Sequence, residues 1–222
     1  TQADKTALLA QLNIANGIVA DPQPVGTSTV YTELNNVIAT AQSVYDDVNA
    51  SVAHVLAQEN ALKAAIAAVN SAVVLYQRTS TWTTLPYNAT SVIVNPSFES
   101  ATANNQTNHN GWTNVGGFKT QNNTSFTKKA GTYYVEQSKS AGGRWEGLKL
   151  SQIIKDIPNG IYKLTAGALN EPITTGGAFV YANEVKAEVF ATQDYTITVT
   201  VTNNQLEIGY EVVNGGNYVA VD

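Results

Sequence analysis

The chain of 222 residues is long enough for one or two globular cores, and its net charge of −5, without a run of Lys or Arg, excludes the positive field that nucleic-acid binding requires. The absence of cysteine excludes disulfides, thiolate zinc sites and a cysteine nucleophile. No stretch reaches the ~18 consecutive apolar residues that a transmembrane helix needs.

Three amphipathic helices are predicted first, between Asp4 and about Arg78. Apolar side chains recur there at three- and four-residue steps, which places them on one face of each helix. The three stripes consist of Leu8, Leu12, Ala15 and Val19, then Leu34, Ile38, Ala41, Tyr45 and Val48, and then Leu62, Ile66, Val69, Val73 and Tyr76. Because a single amphipathic helix is marginal in water, we predict that residues 1–78 form an antiparallel, up-down-up three-helix bundle.

Two breaks separate these helices. The segment 21–26 contains two prolines and cannot continue a helix, and Thr27 or Ser28 can cap the helix that follows. The second break lies at 49–51, where Ser51 is the predicted N-cap of the third helix.

The order of the three helices resembles that of FIVAR modules, which are found in large bacterial surface proteins. The resemblance covers about residues 6–76 and rests on the pattern "LNNVIATAQSVYDDVNAS" followed by "LKAAIAAVNSAV". It implies a short three-helix repeat of the surface-protein type.

The helical period ends near residue 80. Residues 79–90 read "TSTWTTLPYNAT" and predict a linker, in which Trp82 or Leu85 contacts one of the two domains. Beyond it, apolar and polar residues alternate, as in strands with one buried and one exposed face.

Strands follow in residues 91–222. Alternation over 195–202 and 206–212, with Asn203-Asn204 between them, predicts a β-hairpin. Pro158-Asn159-Gly160 is a second turn signal and leads into a strand at 161–168. Further strands are predicted at Val92–Val94, Thr132–Gln137, Leu148–Ile154, Ala178–Ala182 and Tyr218–Val221. Short strands with Gly- and Asn-rich turns predict a β-sandwich or jelly roll, so the chain as a whole is predicted to be multidomain, α plus all-β.

Several phrases in this half form an ordered set: "NPSFES" (95–100), "GWTN" (111–114), "TYYVEQS" (132–138), "LSQIIKDIPNGIYKLTAGAL" (150–169), "AFVYANE" (178–184) and "YVAVD" (218–222). In this order they resemble the galactose-binding-domain-like jelly rolls of glycan-handling proteins from gut Bacteroidetes, and they are similar to other carbohydrate-binding modules. The resemblance covers about residues 90–222. It implies a buried core position for Trp112, and the chain departs from it where Gln137 and Ser138 stand in place of a Trp.

Sugar binding in such modules uses aromatic faces that stack on pyranose rings and polar groups that hold hydroxyls. Trp145 lies in the polar loop "GGRWEG" (142–147), where an indole either covers the edge of the sandwich or contacts a ligand. Arg144 is the predicted hydrogen-bonding companion of Trp145 at a ligand.

Strand residues add further candidates. Tyr134 and Glu136 share one face of the strand, and Tyr133 and Val135 share the other. If Tyr133 and Val135 face the core, Tyr134 and Glu136 face the ligand; the opposite assignment of the two faces is the alternative. Tyr181 and Tyr218 are weaker candidates, since a strand tyrosine is more often buried with its hydroxyl bonded.

The resemblance also suggests a metal site. In similar modules the acidic residue after "NPxF" and the Asp of the final "VD" meet near the terminal strands, which here are Glu99 and Asp222. Together with backbone carbonyls, such hard oxygen ligands suit a structural calcium ion. The alternative is a plain polar cluster at the strand ends.

These observations favour a non-catalytic carbohydrate-binding module of an extracellular glycan-handling protein. The alternative is a structural or adhesive surface module that contacts protein, with the helical bundle as a spacer. An enzyme is disfavoured because His54 and His109 lie in different predicted domains, without a triad or a ligand pattern around either.

The expected location is extracellular, at the cell surface or periplasmic. Charged residues make up 13% of the chain, about half of the usual ~25%, and neutral hydrogen-bonding groups supply the polarity. Such a surface suits contact with glycans outside the cell, or it reflects the composition of the lineage. Since Thr1 onward does not resemble a signal peptide, we expect that an export signal has been removed or that the chain is an excerpt.

Overall fold

A computed structural model describes residues 3–26, 29–172 and 176–222. The chain divides into two compact units, Thr1–Leu85 and Pro86–Asp222. The first contains three helices and the second contains two antiparallel β-sheets, which confirms the predicted α plus all-β class with a C-terminal β-sandwich. Within the described residues, no helix is both long enough and apolar enough to cross a membrane.

The helical unit consists of α1 (Thr6–Ala20), α2 (Thr29–Asp46) and α3 (Val52–Thr81). Its buried core comes mainly from the predicted stripes and includes Leu8, Leu12, Ala15, Leu34, Ala41, Val55, Leu62 and Val69. Val48 was predicted as a stripe residue and is 68% exposed, because α2 ends at Asp46 and Val48 lies in the turn beyond it. Tyr76, at the end of the third stripe, is 39% exposed.

Side chains bond to the backbone at two of the helix ends. The Ser51 hydroxyl accepts a hydrogen bond from the His54 backbone N–H at 3.2 Å, which confirms the predicted N-cap of α3. Lys5 donates through Nζ to the carbonyl of Tyr45 at 2.7 Å, so a cation lies at the C-terminal end of α2. Helix α3 continues to Thr81, three residues into the predicted linker, and Thr27 and Ser28 lie outside the described residues.

The second unit is built from ten described strands. They are β1 (Thr113–Val115), β2 (Lys119–Gln121), β3 (Tyr134–Ser138), β4 (Leu148–Lys155), β5 (Gly160–Glu171), β6 (Ala178–Ala182), β7 (Val185–Glu188), β8 (Gln193–Val201), β9 (Gln205–Val212) and β10 (Tyr218–Val221). One sheet has the order β1-β4-β9-β6-β7 and is called sheet A, and the other has the order β2-β3-β10-β5-β8 and is called sheet B. The short strands β1, β2 and β7 were not predicted.

The predicted hairpin between β8 and β9 is wrong. β8 pairs with β5 at the edge of sheet B, whereas β9 lies between β4 and β6 in sheet A, so Asn203-Asn204 carries the chain from one sheet to the other. The turn at 158–160 makes the same crossing from β4 to β5. The two crossings are joined where the Asn204 backbone N–H donates to Asn159 Oδ1 at 2.8 Å. Alternation identifies a strand with one buried face, but two such strands can pair or can stack face to face.

The strand predicted at Val92–Val94 is also wrong. Thr90–Val92 forms a 3₁₀ turn, and Val94 is held by the side chain of Gln152 in β4. Gln152 Oε1 accepts from the Val94 N–H at 2.8 Å, and Gln152 Nε2 donates to the Val94 carbonyl at 2.9 Å. A buried side-chain amide therefore satisfies both backbone groups that a neighbouring strand would have bonded.

Trp112 packs near this segment as a half-buried residue. Its ring centroid lies 5.3 Å from that of Phe98, and its Nε1 donates to the carbonyl of Val94 at 3.0 Å. The indole thus ties the start of the unit to the sandwich.

Candidate functional site

Trp145 belongs to a platform of two hydrogen-bonded loops, 139–147 between β3 and β4 and 213–217 between β9 and β10. The Trp145 backbone N–H donates to the Gly216 carbonyl at 3.2 Å, and the Gly215 N–H donates to the Trp145 carbonyl at 2.9 Å. At the base of the loops, the Lys139 N–H donates to the Asn217 carbonyl at 2.7 Å. The backbone of Trp145 is therefore held against Gly216, which lies two residues before the start of β10.

The local sequence requires this arrangement. A Cβ atom at Gly216 would lie 1.6 Å from the Glu171 carbonyl oxygen, so only glycine fits there. Asn170, which is fully buried in β5, accepts from the Gly216 N–H through Oδ1 at 2.7 Å and donates through Nδ2 to the Val189 carbonyl at 3.0 Å. Asn170 thereby anchors the loop that holds Trp145 to the core of the sandwich.

The side chain of Trp145 is half-buried, and a cation covers one face of its ring. Lys139 Nζ lies 4.1 Å from the ring centroid and also donates to the carbonyl of Arg144. This is a cation–π contact. Arg144, the predicted companion, is exposed, and Lys139 is the cation at the ring. Five loop residues separate Lys139 from Trp145, so no pattern along the chain predicts their contact.

The indole N–H of Trp145 is shielded from solvent and has no hydrogen-bond acceptor among the described residues. A shallow depression lies next to this loop, at the start of β4 and the end of β9. It is lined by Glu146, Gly147, Leu148, Lys149, Glu211, Val212 and Val213. This lining combines the charged residues Glu146, Lys149 and Glu211 with the apolar residues Leu148, Val212 and Val213.

A second group of predicted residues lies on the outer face of sheet B. Glu136 Oε2 accepts from the Tyr218 hydroxyl at 2.7 Å and from the Tyr134 hydroxyl at 2.8 Å, and the two hydroxyls are 3.2 Å apart. The β3–β10 register places Glu136 opposite Ala220, two residues from Tyr218. The structure therefore brings Tyr134, Glu136 and Tyr218 into one cluster, and Gly216 and Asn217 connect Tyr218 to the platform of Trp145.

Tyr134 is fully buried within this cluster. Tyr134 and Glu136 do lie on the face opposite to Val135, but the ring of Tyr134 is covered by Phe126, at a centroid distance of 5.2 Å. Tyr134 therefore contacts Glu136 through its hydroxyl and does not present its ring to a ligand. Burial raises the pKa of Tyr134 to about 12 and also raises the pKa of Tyr218, so both hydroxyls keep their protons. Tyr218 donates its proton to Glu136, whereas the single proton of Tyr134 has two acceptors at 2.8 Å, Glu136 Oε2 and Asn123 Oδ1.

Tyr181 is separate from the other candidates, on the outer face of sheet A. Its ring lies over Gly209, where a Cβ would approach Tyr181 Cε1 to 2.8 Å, and its hydroxyl donates to Glu207 Oε1 at 2.9 Å. Lys149 completes the group, with Nζ 2.8 Å from Glu207 Oε1. With 3% of its surface exposed, Tyr181 is a packed residue with a bonded hydroxyl, and burial raises its pKa to about 12.

Glu99 and Asp222 meet at the segment 130–133, at the far end of β10 from Trp145. Glu99 Oε1 accepts from the N–H groups of Thr132 and Tyr133 at 2.8 and 2.7 Å. Asp222 Oδ2 accepts from the Ala130 N–H, while Oδ1 is buried and has no hydrogen-bond partner among the described residues. The two carboxylates therefore approach the same short stretch of backbone.

The electrostatics of Asp222 fit a cation site. The pKa of Asp222 is raised to about 7, chiefly by burial and also by the negative charge of Glu99, although the hydrogen bond from Ala130 and the charge of Lys129 act in the opposite direction. Carboxylate oxygens are among the ligands that Ca²⁺ prefers, and the buried Oδ1 of Asp222 is one such oxygen without a hydrogen-bond partner among the described residues. Among the described residues no group of three His, Cys, Asp or Glu side chains is placed to hold a metal, so backbone carbonyls or water would have to supply the remaining ligands.

No protein-family model matches this chain, and no curated protein matches it. Solved structures that are similar to it include an arabinose-bound α-L-arabinofuranosidase (12% identity, 58% of this chain and 26% of that chain, TM-score 0.36) and a ruminal endo-β-1,4-mannanase (12% identity, 45% and 22%, TM-score 0.26). A third is an exo-β-1,3-galactanase from Phanerochaete chrysosporium with β-1,3-galactotriose (12% identity, 50% and 26%, TM-score 0.24). The chain spans about a quarter of the length of these structures. At these TM-scores the three likenesses decide neither the fold nor the function of this chain.

Proposed function

We propose that this chain is a non-catalytic carbohydrate-binding protein and that its second unit holds a glycan at Trp145. The observation that supports this most is the fixed backbone of Trp145, which is bonded to Gly215 and Gly216 on both its N–H and its carbonyl. An aromatic ring that is held in place before binding loses little entropy when a sugar packs on it.

Polar groups around the ring suit the hydroxyls of a sugar. Lys139 supplies a donor at the ring of Trp145, and the exposed Arg144 precedes Trp145 in the chain. Glu136 supplies an acceptor in the cluster with Tyr134 and Tyr218, which residues 216 and 217 connect to the loop of Trp145. A few convergent polar groups beside an aromatic surface give a sugar its orientation. We include Glu136 and Tyr218 in the proposed site, and we leave Tyr134 and Tyr181 out of direct contact because both are buried.

The absence of catalysis is part of the proposal. Glu136, the carboxylate of the cluster, accepts two phenol hydroxyls through one oxygen, an arrangement that suits holding a ligand hydroxyl more than giving up a proton. A glycosidase requires two carboxylates that face each other across the bond to be cleaved. An increase in reducing ends when the purified chain is incubated with a glycan that it binds would contradict this part.

We also propose an extracellular location, with the three-helix unit as a FIVAR-like spacer in a bacterial, Bacteroidetes-type surface protein. The low share of charged residues supports contact with neutral polar glycans. A structural calcium ion at Glu99 and Asp222 belongs to the same proposal; it would join residues 99 and 222 to the segment 130–133.

A glycan array with the intact chain tests the proposed function. We expect binding to a defined subset of plant, host or microbial glycans, and we expect Trp145→Ala to remove it. Trp82→Ala is the matched control, since it removes the same side chain from the first unit. No binding at high loading, or equal binding by the Trp145→Ala variant, would favour the structural or adhesive alternative.

A further inference from the structure

Lys139 is held in a fixed position beside Trp145. Its backbone N–H donates to the Asn217 carbonyl at 2.7 Å, and its own carbonyl accepts from Asn217 Nδ2 at 3.2 Å. The stem of its side chain packs against Gly143, where a Cβ atom would lie 2.9 Å from Lys139 Cβ. The ammonium group lies 4.1 Å from the centroid of the Trp145 ring and donates to the Arg144 carbonyl. Backbone, stem and ammonium of this surface lysine therefore all have partners in the platform.

No carboxylate in the described part of the chain pairs with Lys139. Neither Lys139 nor Arg144 forms an ion pair there, although several other lysines do. Glu136 accepts from the hydroxyl of Tyr218, and Glu146 lines the depression at the start of β4. Within the described residues, the loop of Trp145 thus carries two cations without ion-pair partners, on a chain whose net charge is −5.

The indole of Trp145 adds a second donor to the ammonium of Lys139. The indole N–H is shielded from solvent and has no acceptor among the residues that the structure describes. A lysine ammonium donates up to three hydrogen bonds and cannot accept one. The two polar side-chain groups at this ring are therefore both donors, and a ligand that binds there has to supply acceptor oxygens.

A sugar that packs on this ring also displaces water from the ammonium of Lys139. Removing a cation from water is unfavourable unless a counter-charge replaces the water. A neutral sugar supplies hydroxyl oxygens alone, whereas a carboxylate or a sulfate supplies acceptor oxygens together with the missing negative charge. Hydrogen bonds between an ammonium and such an anion are about twice as strong as those between neutral groups. The contact between Lys139 and Trp145 therefore favours an anionic group on the ligand.

We propose, on the basis of the proposed function of Trp145, that the glycan it holds is acidic and that Lys139 determines this specificity. A carboxylate or a sulfate on the stacked sugar, or on the sugar next to it, binds the ammonium. The remainder of the ligand faces a chain in which only 13% of the residues are charged. Acidic groups among neutral sugars therefore suit this site better than a uniformly charged polymer.

Matched pairs of glycans test this specificity with the intact chain. The probes are oligogalacturonate, glucuronate-containing xylan and sulfated galactan, each with its carboxyl-reduced or desulfated form. We expect the acidic member of at least one pair to bind about tenfold more tightly than its neutral counterpart, and that pair shows whether the anion is a carboxylate or a sulfate. Raising NaCl from about 0.05 to about 0.5 M should weaken this binding, because salt screens the attraction to Lys139.

Lys139→Met isolates the contribution of the ammonium. Methionine keeps an unbranched stem beside Gly143 but has no charge, so the affinity for the acidic glycan should fall about tenfold. The affinity for its neutral counterpart should stay the same. Lys163→Met is the matched control, since it removes the same charge from an exposed position at the far end of β5 from Glu171, the residue that packs against Gly216. It should leave both affinities unchanged.

Equal affinity for both members of every pair overturns the inferred specificity and leaves the proposed function in place. The same conclusion follows if Lys139→Met binds the acidic glycan as tightly as the unmodified chain does. No binding to any acidic or neutral glycan overturns the specificity and the proposed function together. The dependence on salt is measured on the unmodified chain and so decides the matter even where Lys139→Met does not fold. Binding to the acidic glycan that NaCl does not weaken contradicts a role for the charge.

Discussion

Asn170 Oδ1 accepts a hydrogen bond from the Gly216 backbone N–H at 2.7 Å, which links a fully buried strand residue to the loop that holds Trp145. Since Gly216 in turn accepts from the Trp145 N–H, two hydrogen bonds connect the sandwich core to the backbone of the proposed site. The position of Trp145 therefore depends on packing inside the sandwich.

Asn170→Ala tests this connection. The substitution leaves the Gly216 N–H and the Val189 carbonyl without partners in a buried region, and each such loss costs about 1–3 kcal/mol. We expect the free energy of unfolding of the second unit to fall by about 2–4 kcal/mol in chemical denaturation. In conditions where the variant is still folded, its affinity for a glycan should also fall.

The control for this prediction is Asn203→Ala, which removes the same amide from an exposed turn and should change stability by less than about 0.5 kcal/mol. Equal stability of the Asn170→Ala variant and the unmodified chain would show that the loop does not depend on Asn170.

Calcium is predicted to raise the melting temperature of the second unit. A cation at Glu99 and Asp222 would satisfy the buried Oδ1 of Asp222 and offset the repulsion between the carboxylates, and any ligand that binds only the folded state stabilises it. Asp222→Asn should abolish the increase. In EDTA the same variant should be at least as stable as the unmodified chain, because it removes a buried charge.

Melting with calcium and with EDTA measures both effects, and Asp194→Asn serves as the control because Asp194 is an exposed carboxylate elsewhere on sheet B. An unchanged midpoint in the unmodified chain would remove calcium from the proposal. A calcium effect that Asp222→Asn retains would place the ion at another site.

His109 should make stability depend on pH. Burial lowers its pKa below 6.5, although the hydrogen bond from Nε2 to the Phe118 carbonyl acts in the opposite direction. The unfolded chain therefore binds a proton at about pH 6.5 while the folded chain does not. The stabilising contribution of neutral His109 is present above pH 6.5 and is lost as the pH falls below it, by up to about 1.4 kcal/mol per pH unit.

Chemical denaturation of the unmodified chain and of His109→Gln at pH 7.5, 6.5 and 5.5 checks this prediction. The difference in unfolding free energy between the two should shrink as the pH falls. A constant difference would mean that His109 does not titrate differently in the folded and unfolded chains.

Local sequence patterns predicted most helices and strands correctly, but they did not predict which strands pair with each other. The Ser51 cap and the buried positions of β8 and β9 follow from side chains within a few residues, so sequence reasoning found them. The pairing of these two strands depends on which sheet each enters, and alternation is the same in either case. The short edge strands β1, β2 and β7 lack enough residues for a period to be visible.

In the proposed site, too, local patterns predicted which residues share a strand face but not the contacts that those residues make. Alternation placed Tyr134 and Glu136 on one face, but the burial of Tyr134 depends on Phe126 in the preceding loop, which no strand period describes. Lys139 reached the ring of Trp145 because the loop folds back on itself. Contacts of this kind come from loop geometry, and spacing along the chain does not encode them.

Two matched tyrosines separate the proposed site from the framework. Tyr218→Phe removes one of the two hydroxyls that orient Glu136, whereas Tyr181→Phe removes a hydroxyl that donates to Glu207 on the other sheet. Each loses one hydrogen bond to a carboxylate, so both should lower the unfolding free energy by about 1–2 kcal/mol.

The effects of the two substitutions on glycan binding should differ. Calorimetric titration with a glycan identified on the array should show about three- to tenfold weaker binding for Tyr218→Phe and no change for Tyr181→Phe. Equal affinities for both variants would remove Tyr218 and Glu136 from the site and leave Trp145 as its remaining support, and weaker binding by Tyr181→Phe would move the site toward the outer face of sheet A.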